Sequence, residues 1–128
     1  MLNIIGLAYR ANCLVYGIDK VSEVVHTKKA RLILVSSDAN QKTVEKASRM
    51  PERCNALFTQ VPLDANTLGE ALGVETCVIA CFTDVGFATS FTEKLHASDQ
   101  NTYASLAEEM NARNVRAIKR KEKKLRQK

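Results

Sequence analysis

The chain has no tryptophan and few aromatic residues of any kind, three Tyr and four Phe in 128 residues. The basic C-terminal stretch carries no ring beyond Tyr103, which excludes a row of stacking platforms for bases there. Its four cysteines, Cys13, Cys54, Cys77 and Cys81, contain no Cys-x2-Cys pair. Cys77 and Cys81 fall four apart on an expected strand, on one face and about 13 Å apart, too far for a disulfide or a shared metal. Reduced, buried thiols are the expectation, and no metal site. A basic leader is absent, Gly6 and Arg10 interrupt the apolar N-terminus, and no apolar run is long enough to span a bilayer. A cytoplasmic chain without membrane contact is therefore expected. Neither a Gly-rich phosphate loop nor ligand-spaced histidines occur, since His26 falls on an expected helix and His96 near a helix end.

What remains is a single-domain length with an ordinary 45% of hydrophobic residues, enough for one core. The net charge of +5 conceals an uneven distribution. Residues 111–128 hold nine Lys/Arg against one acid, whereas residues 1–110 hold ten against thirteen acids. The high pI belongs to the tail, so overall charge says little about what the body binds.

Hydrophobic periodicity alternates between 3.6 and strand-like along the chain. Helices are expected over residues 2–11, 18–28, 41–50, 64–72 and 87–96, and strands over 13–16, 31–36, 55–61 and 77–82. Asn12 and Gly73 suit left-handed helix ends, Asn40 suits an N-cap, and Pro51 and Pro62 limit their elements. A polar break over 97–101 precedes a further helical signal from Thr102, with Tyr103, Leu106, Ala107 and Met110 on one face. Beyond Asn111 that face decays into charge, and the run from Arg116 to Lys128 is expected to be frayed or disordered unless a polyanion orders it. The fold class is α/β: helices on both faces of a four-stranded sheet, as a 1–97 domain, followed by a basic helical extension over 98–128.

The densest information lies between residues 14 and 40. Leu14-Val15-Tyr16 runs into Gly17, and Ile18-Asp19-Lys20 opens a helix whose Val21, Val24 and Val25 share a face. A glycine delivering the chain into an exposed helix N-terminus lets backbone approach an anion or base closely. It can equally serve a turn that needs positive φ. Lys20, Lys28, Lys29 and Arg31 cluster about the same helix, as a binding surface or as a solvated face. Arg113, Arg116, Lys119, Arg120, Lys121, Lys123 and Lys124 form an arm suited to nonspecific phosphate contacts, or a solubilising extension. For catalysis the best constellation is Ser36, Ser37 and Asp38 after one strand with Asp84 after another, which could hold Mg²⁺. No lysine partner accompanies them, and both acids suit helix caps. An enzyme is not expected, nor any cofactor.

Six stretches in register carry a family resemblance. They are Gly6-Leu7-Ala8-Tyr9-Arg10-Ala11, Gly17 with its helix, the strand ARLILVSSDA over residues 30–39, Val61-Pro62-Leu63, Leu68-Gly69-Glu70-Ala71-Leu72-Gly73, and Thr83-Asp84-Val85-Gly86-Phe87-Ala88. Together they resemble the kink-turn-binding ribosomal proteins of the large-subunit L-seven-Ae type, and in particular that family's small bacterial YlxQ-like branch. The resemblance implies a three-layer α/β/α sandwich with a mixed four-stranded sheet and RNA binding without catalysis. The implied ligand is structured, kink-turn-like RNA, ribosomal or otherwise tied to translation, with the ribosome or its proteins as further partners. It also assigns contacts. The family's Gly-Thr-Asn-Glu run with a later Lys falls on Gly17, Ile18, Asp19, Lys20 and Glu23, where only the glycine is retained. A second contact falls on Val74, Glu75 and Thr76. Lys28, Lys29 and Arg31 flank the first. Because the first reading segment is rewritten, a protein-interaction module in ribosome assembly with the same fold is the alternative function. Oligomeric state is left open.

Overall fold

The structure is a computed structural model and describes residues 1–126. Helix α1 (Leu2–Arg10), strand β1 (Leu14–Tyr16), helix α2 (Ile18–His26), strand β2 (Leu32–Val35) and helix α3 (Gln41–Arg49) come first. A short 3-10 turn (Met50–Arg53) follows, then β3 (Leu57–Gln60), α4 (Ala65–Leu72), β4 (Ile79–Phe82), α5 (Val85–Ser98) and α6 (Gln100–Arg126).

The strands pair in the order β1-β4-β2-β3. β4 is antiparallel to both neighbours, with Val15 opposite Cys81 and Leu34 opposite Ala80, while β2 and β3 are parallel. All residues of β2 and β4 are buried, as expected of central strands covered on both faces. Their alternation divides the core in two. Ile33, Val35, Ile79 and Cys81 face one cluster with Val21 and Val25 of α2 and Ala47 of α3. Leu32, Leu34, Ala80 and Phe82 face the other with Ile5, Leu68, Phe91, Leu95 and Met110. Helices α2 and α3 therefore cover one face, and α1, α4, α5 and the start of α6 the other. Phe82 and Phe91 meet at the centre of the larger cluster, ring centroids 5.3 Å apart. Each such fully buried side chain stabilises by roughly 1.5–3 kcal/mol.

The expected helix ends hold where they rest on local chemistry. Asn12 adopts φ 60, Gly73 ends α4 at φ 77, and Asn40 Oδ1 accepts from Thr43 N–H at 2.9 Å. Asp84 caps α5 through Phe87 N–H. Asp38 caps a different helix from the one that follows it, accepting from Ala65 N–H at the start of α4. The two cysteines placed on one strand face separate. Cys77 precedes β4, and it joins the larger cluster whereas Cys81 joins the smaller. Burial pushes their thiols up, to about 11 for Cys77 and about 12 for Cys81.

The extension expected from residue 98 contributes Tyr103 and Met110 to the larger core, and the chain leaves α5 for α6 at Asp99. Asp99 caps α6 by accepting from Thr102 N–H and Oγ1. Instead of fraying beyond Arg116, α6 runs helical to Arg126; Gln127 and Lys128 lie outside the described residues. A helix nucleated on a packed first half propagates cheaply through good helix formers such as Lys and Arg.

Candidate nucleic-acid interface

Sheet polarity decides which loops meet. Since β4 is antiparallel to β1 and to β2, those two strands run the same way and end beside the start of β4. The Gly17 turn, the loop from Ser36 to Asn40 and the segment before β4 therefore emerge at one sheet end. The link is direct: Gly17 N–H donates to Ile79 O at 3.0 Å. Gly17, Ile18, Asp38, Asn40, Lys42 and Thr76 are among the residues lining one open cleft of about 730 Å³. Of the two segments expected to read RNA, more than fifty residues apart in sequence, Gly17 and Ile18 of the first and Thr76 of the second thus share a cleft.

Gly17 has φ 88 and ψ 147, so the turn does require a residue free of a Cβ penalty. Its carbonyl accepts from Val21 N–H, and no side chain caps α2. The N–H groups of Ile18, Asp19 and Lys20 lie in the first turn, where an α-helix offers no acceptor of its own. That leaves donors and the positive end of the helix dipole for an anion. Ile18 is half-buried against the α2–α3 core, while Asp19, Lys20 and Glu23 are exposed. On the second segment Val74 packs on the larger core, leaving Glu75 and Thr76 exposed. The segment lies directly on α4, because Gly69 has no side chain. A Cβ there would stand 2.7 Å from Thr76 Cα and 2.8 Å from Glu75 O.

The basic residues grouped about α2 do not lie together. Lys20 sits in the first turn of α2, whereas Lys28, Lys29 and Arg31 follow its last turn, about 13 Å further along a nine-residue helix. Arg31 turns back to donate to Lys28 O and Ala30 O, each at 3.2 Å. Lys28 adopts φ 61 and lines a different groove, between α2 and α3. On α6, Arg113 pairs with Glu109 at 3.0 Å and its other guanidinium nitrogen donates to Asn55 O, so it fastens α6 to the body. Arg116 also reaches Glu109 at 3.5 Å. Lys119, Arg120, Lys121, Lys123 and Lys124 are exposed along the helix beyond.

Sequence reasoning missed several residues at the cleft. Tyr9 and Tyr16 stack edge-to-face at 5.5 Å and, with Lys20, line a separate pocket next to the cleft, which Tyr16 also lines. Lys42, Thr43 and Lys46 of α3 line the cleft wall. Their sequence signal was the Asn40 cap, which places the start of α3 after β2 and so beside Gly17. The alternative two-acid site does not assemble. Asp38 follows β2 next to Ile79, and Asp84 follows β4 at Phe82, the opposite end of an antiparallel pair. Among the described residues no group of three His, Cys, Asp or Glu could hold a metal ion, and no helix is long and apolar enough to cross a membrane.

Comparison with known proteins agrees with this layout. The model of the ribosomal protein L7Ae/L30e/S12e/Gadd45 family matches residues 1–90. Over 96 residues the chain is 32% identical to the RNA-binding protein YlxQ of Bacillus subtilis (strain 168), taking in 72% of this chain and 91% of that protein. A solved protein of unknown function from Bacillus halodurans C superposes with a TM-score of 0.64 at 30% identity, over 75% of this chain and 92% of the other. The Giardia lamblia 15.5kD RNA binding protein shares the fold, with a TM-score of 0.58 at 19% identity over 75% and 84% of the two chains. Helix α6 lies wholly beyond the stretch that the family model matches.

Proposed function

Because the chain belongs to the ribosomal protein L7Ae/L30e/S12e/Gadd45 family, we propose that it is a non-catalytic RNA-binding protein whose ligand is a structured, kink-turn-like RNA, ribosomal or linked to translation in the cytoplasm. One observation carries the reading: the Gly17 turn and the Thr76 end of the 74–76 segment converge on a single cleft. A sharply bent RNA presents phosphates and splayed bases together, and the cleft with the exposed residues around it offers partners for both. The uncapped start of α2 supplies backbone donors for phosphate. Lys20 can address guanine O6 and N7 from the first turn, and Glu75 can accept from an exocyclic amine. Single-stranded or looped-out bases are what such side chains read in RNA. The exposed cations of α6 from Lys119 to Lys124 add sequence-independent attraction.

Four reading side chains depart from the family's pattern at Ile18, Asp19, Lys20 and Glu23, and this favours the protein-interaction alternative as the rival. Titration separates the two. The full chain, with Lys119, Arg120, Lys121, Lys123 and Lys124 replaced by Gln to silence the arm, is titrated with a kink-turn RNA and with a plain duplex of equal length. The expected result is a preference for the kink-turn of about tenfold or more, the worth of one bidentate base contact. Equal and feeble binding of both would leave the rival standing. Truncation is the wrong tool, because removing α6 also removes Tyr103 and Met110 from the core.

A further inference from the structure

The small net charge of the body hides a strong segregation. Eight of the ten Lys/Arg within residues 1–110 fall in residues 20–53, beside four acids, while residues 54–110 hold Lys94 alone against eight acids. The fold converts this linear division into two faces. Residues 20–53 supply most of α2 and all of α3, which cover one side of the sheet, and residues 54–110 supply α4, α5 and the start of α6, which with α1 cover the other.

Within the positive layer, Lys42, Lys46, Arg49 and Arg53 recur at i, i+4, i+7 and i+11, one side of α3 and the turn that extends it. Val44 and Ala47 occupy the opposite side and pack toward the sheet. All four cations are exposed, and the ion pairs found among the described residues are both on α6. Facing them, α2 contributes His26 and, past its last turn, Lys28. Together they line a groove of about 650 Å³ in which Glu45 is the one acid among the described lining residues. Lys42 and Lys46 also line the Gly17 cleft, so the groove continues that cleft.

We propose that the α2–α3 groove is a second RNA-binding surface, a track for the phosphate backbone of the strand that enters the Gly17 cleft. This rests on the RNA-binding reading above and extends its footprint along α3. The four cations span about 16 Å of helix at regular intervals, which suits a ligand whose charges are themselves regularly spaced. They carry no neighbouring acceptor array for base edges, so the track positions the RNA and leaves reading to the cleft. Lys28 fits the same account: it occupies a left-handed position where glycine is usual, and places an ammonium group at the groove's far end.

The test uses the full chain and a labelled kink-turn RNA, comparing wild type with an Arg49→Gln, Arg53→Gln variant, two residues that line the groove and not the cleft, over a salt series. Both sites are exposed, and an unchanged thermal melt verifies folding. Each lost phosphate contact lowers the log-log salt slope by about 0.7–0.9, so the variant's slope falls by roughly 1.5. At about 0.15 M salt that corresponds to a loss of affinity of roughly ten- to thirtyfold. The ratio of kink-turn to duplex binding stays unchanged, and RNA protects Lys28 of the wild type, which lines the groove and not the cleft, from acetylation. An unchanged slope without protection, in a protein that still binds the RNA, overturns the groove and spares the cleft. Absence of RNA binding by the wild type overturns both. A groove that protects Lys28 only when an acidic protein is supplied identifies it as a protein surface and overturns the proposal.

Discussion

Replacing Gly69 by alanine tests how the 74–76 segment, the second proposed RNA contact, is held. In an exposed helix interior this change stabilises by about 0.5–1 kcal/mol, because alanine loses less backbone entropy on folding. Here the added Cβ meets Thr76 Cα at 2.7 Å, and Glu75 O and Thr76 N at 2.8 Å. All three are backbone atoms and cannot rotate away. An unstrained carbon contact lies near 3.5–4.0 Å, so either α4 or the 75–76 backbone must move by about 1 Å. Overpacking of this kind costs roughly 1–3 kcal/mol, which outweighs the entropic gain and leaves a net loss of about 1–2 kcal/mol. At this chain length that corresponds to a fall in melting temperature of about 4–8 °C. The same displacement moves Glu75 and Thr76 relative to Gly17, so kink-turn preference falls while duplex binding through α6 persists. Gly73→Ala is the control, since a Cβ there meets nothing within 4 Å and only its φ of 77 resists. Thermal melts with paired RNA titrations decide the matter. A Gly69→Ala protein as stable as wild type, with its preference intact, would refute the claim that α4 positions the segment.

Two further changes probe stability alone. Ser36 Oγ is buried and finds no hydrogen-bond partner among the described residues; Ser36→Ala is therefore expected to raise stability by up to about 1 kcal/mol, read from the urea midpoint, and a destabilised variant would show that the hydroxyl is satisfied. The carboxyls of Asp64 and Asp99 are held below their ordinary value by hydrogen bonds from Thr67 and Thr102. With the folded pKa depressed, the unfolded chain binds more protons, so their contribution is full above the ordinary range and is lost as pH falls through the folded value. Asp64→Asn with Asp99→Asn keeps both caps but removes the titration, and should flatten the urea midpoint between about pH 6 and about pH 2. An undiminished acid slope would place the responsible groups elsewhere.

Features set by neighbouring residues were legible before any coordinates. Asn12, Asn40, Gly73 and Asp84 end or begin their helices as their chemistry requires, and the valines of α2 turn inward on schedule. Features set by strand polarity were not. Cys77 and Cys81 have strand-like spacing, but the chain enters β4 only at Ile79, and the two thiols end in different layers. Asp38 has a cap's chemistry, yet its helix is α4, which the parallel β2–β3 pairing brings alongside. The site was legible in part. A resemblance assigned contacts to Gly17 and the 74–76 segment, while the meeting of Gly17 and Thr76 at one cleft follows from β4 lying between β1 and β2. The stripe from Lys42 to Arg53 was present as a period in the sequence, masked by the eight acids of residues 54–110.

The topology also explains how the side chains at the Gly17 turn could depart from the family's pattern while the cleft keeps its form. What converges at the cleft is backbone: the end of β1, the end of β2 and the entry to β4, fixed by ladder hydrogen bonds buried in two cores. Ile18, Asp19, Lys20 and Glu23 hang from that frame, and three of the four are exposed. Replacing them leaves the donors of the first α2 turn in place, because those are peptide N–H groups. It does add the Asp19 carboxylate, which favours the helix dipole but repels phosphate. Compensation then has to come from cations outside the turn. Lys42 and Lys46 are placed for this on the opposite wall of the same cleft. If the RNA reading holds, affinity has moved from base edges read by α2 toward phosphates held by α3, and salt dependence is where that shift becomes measurable.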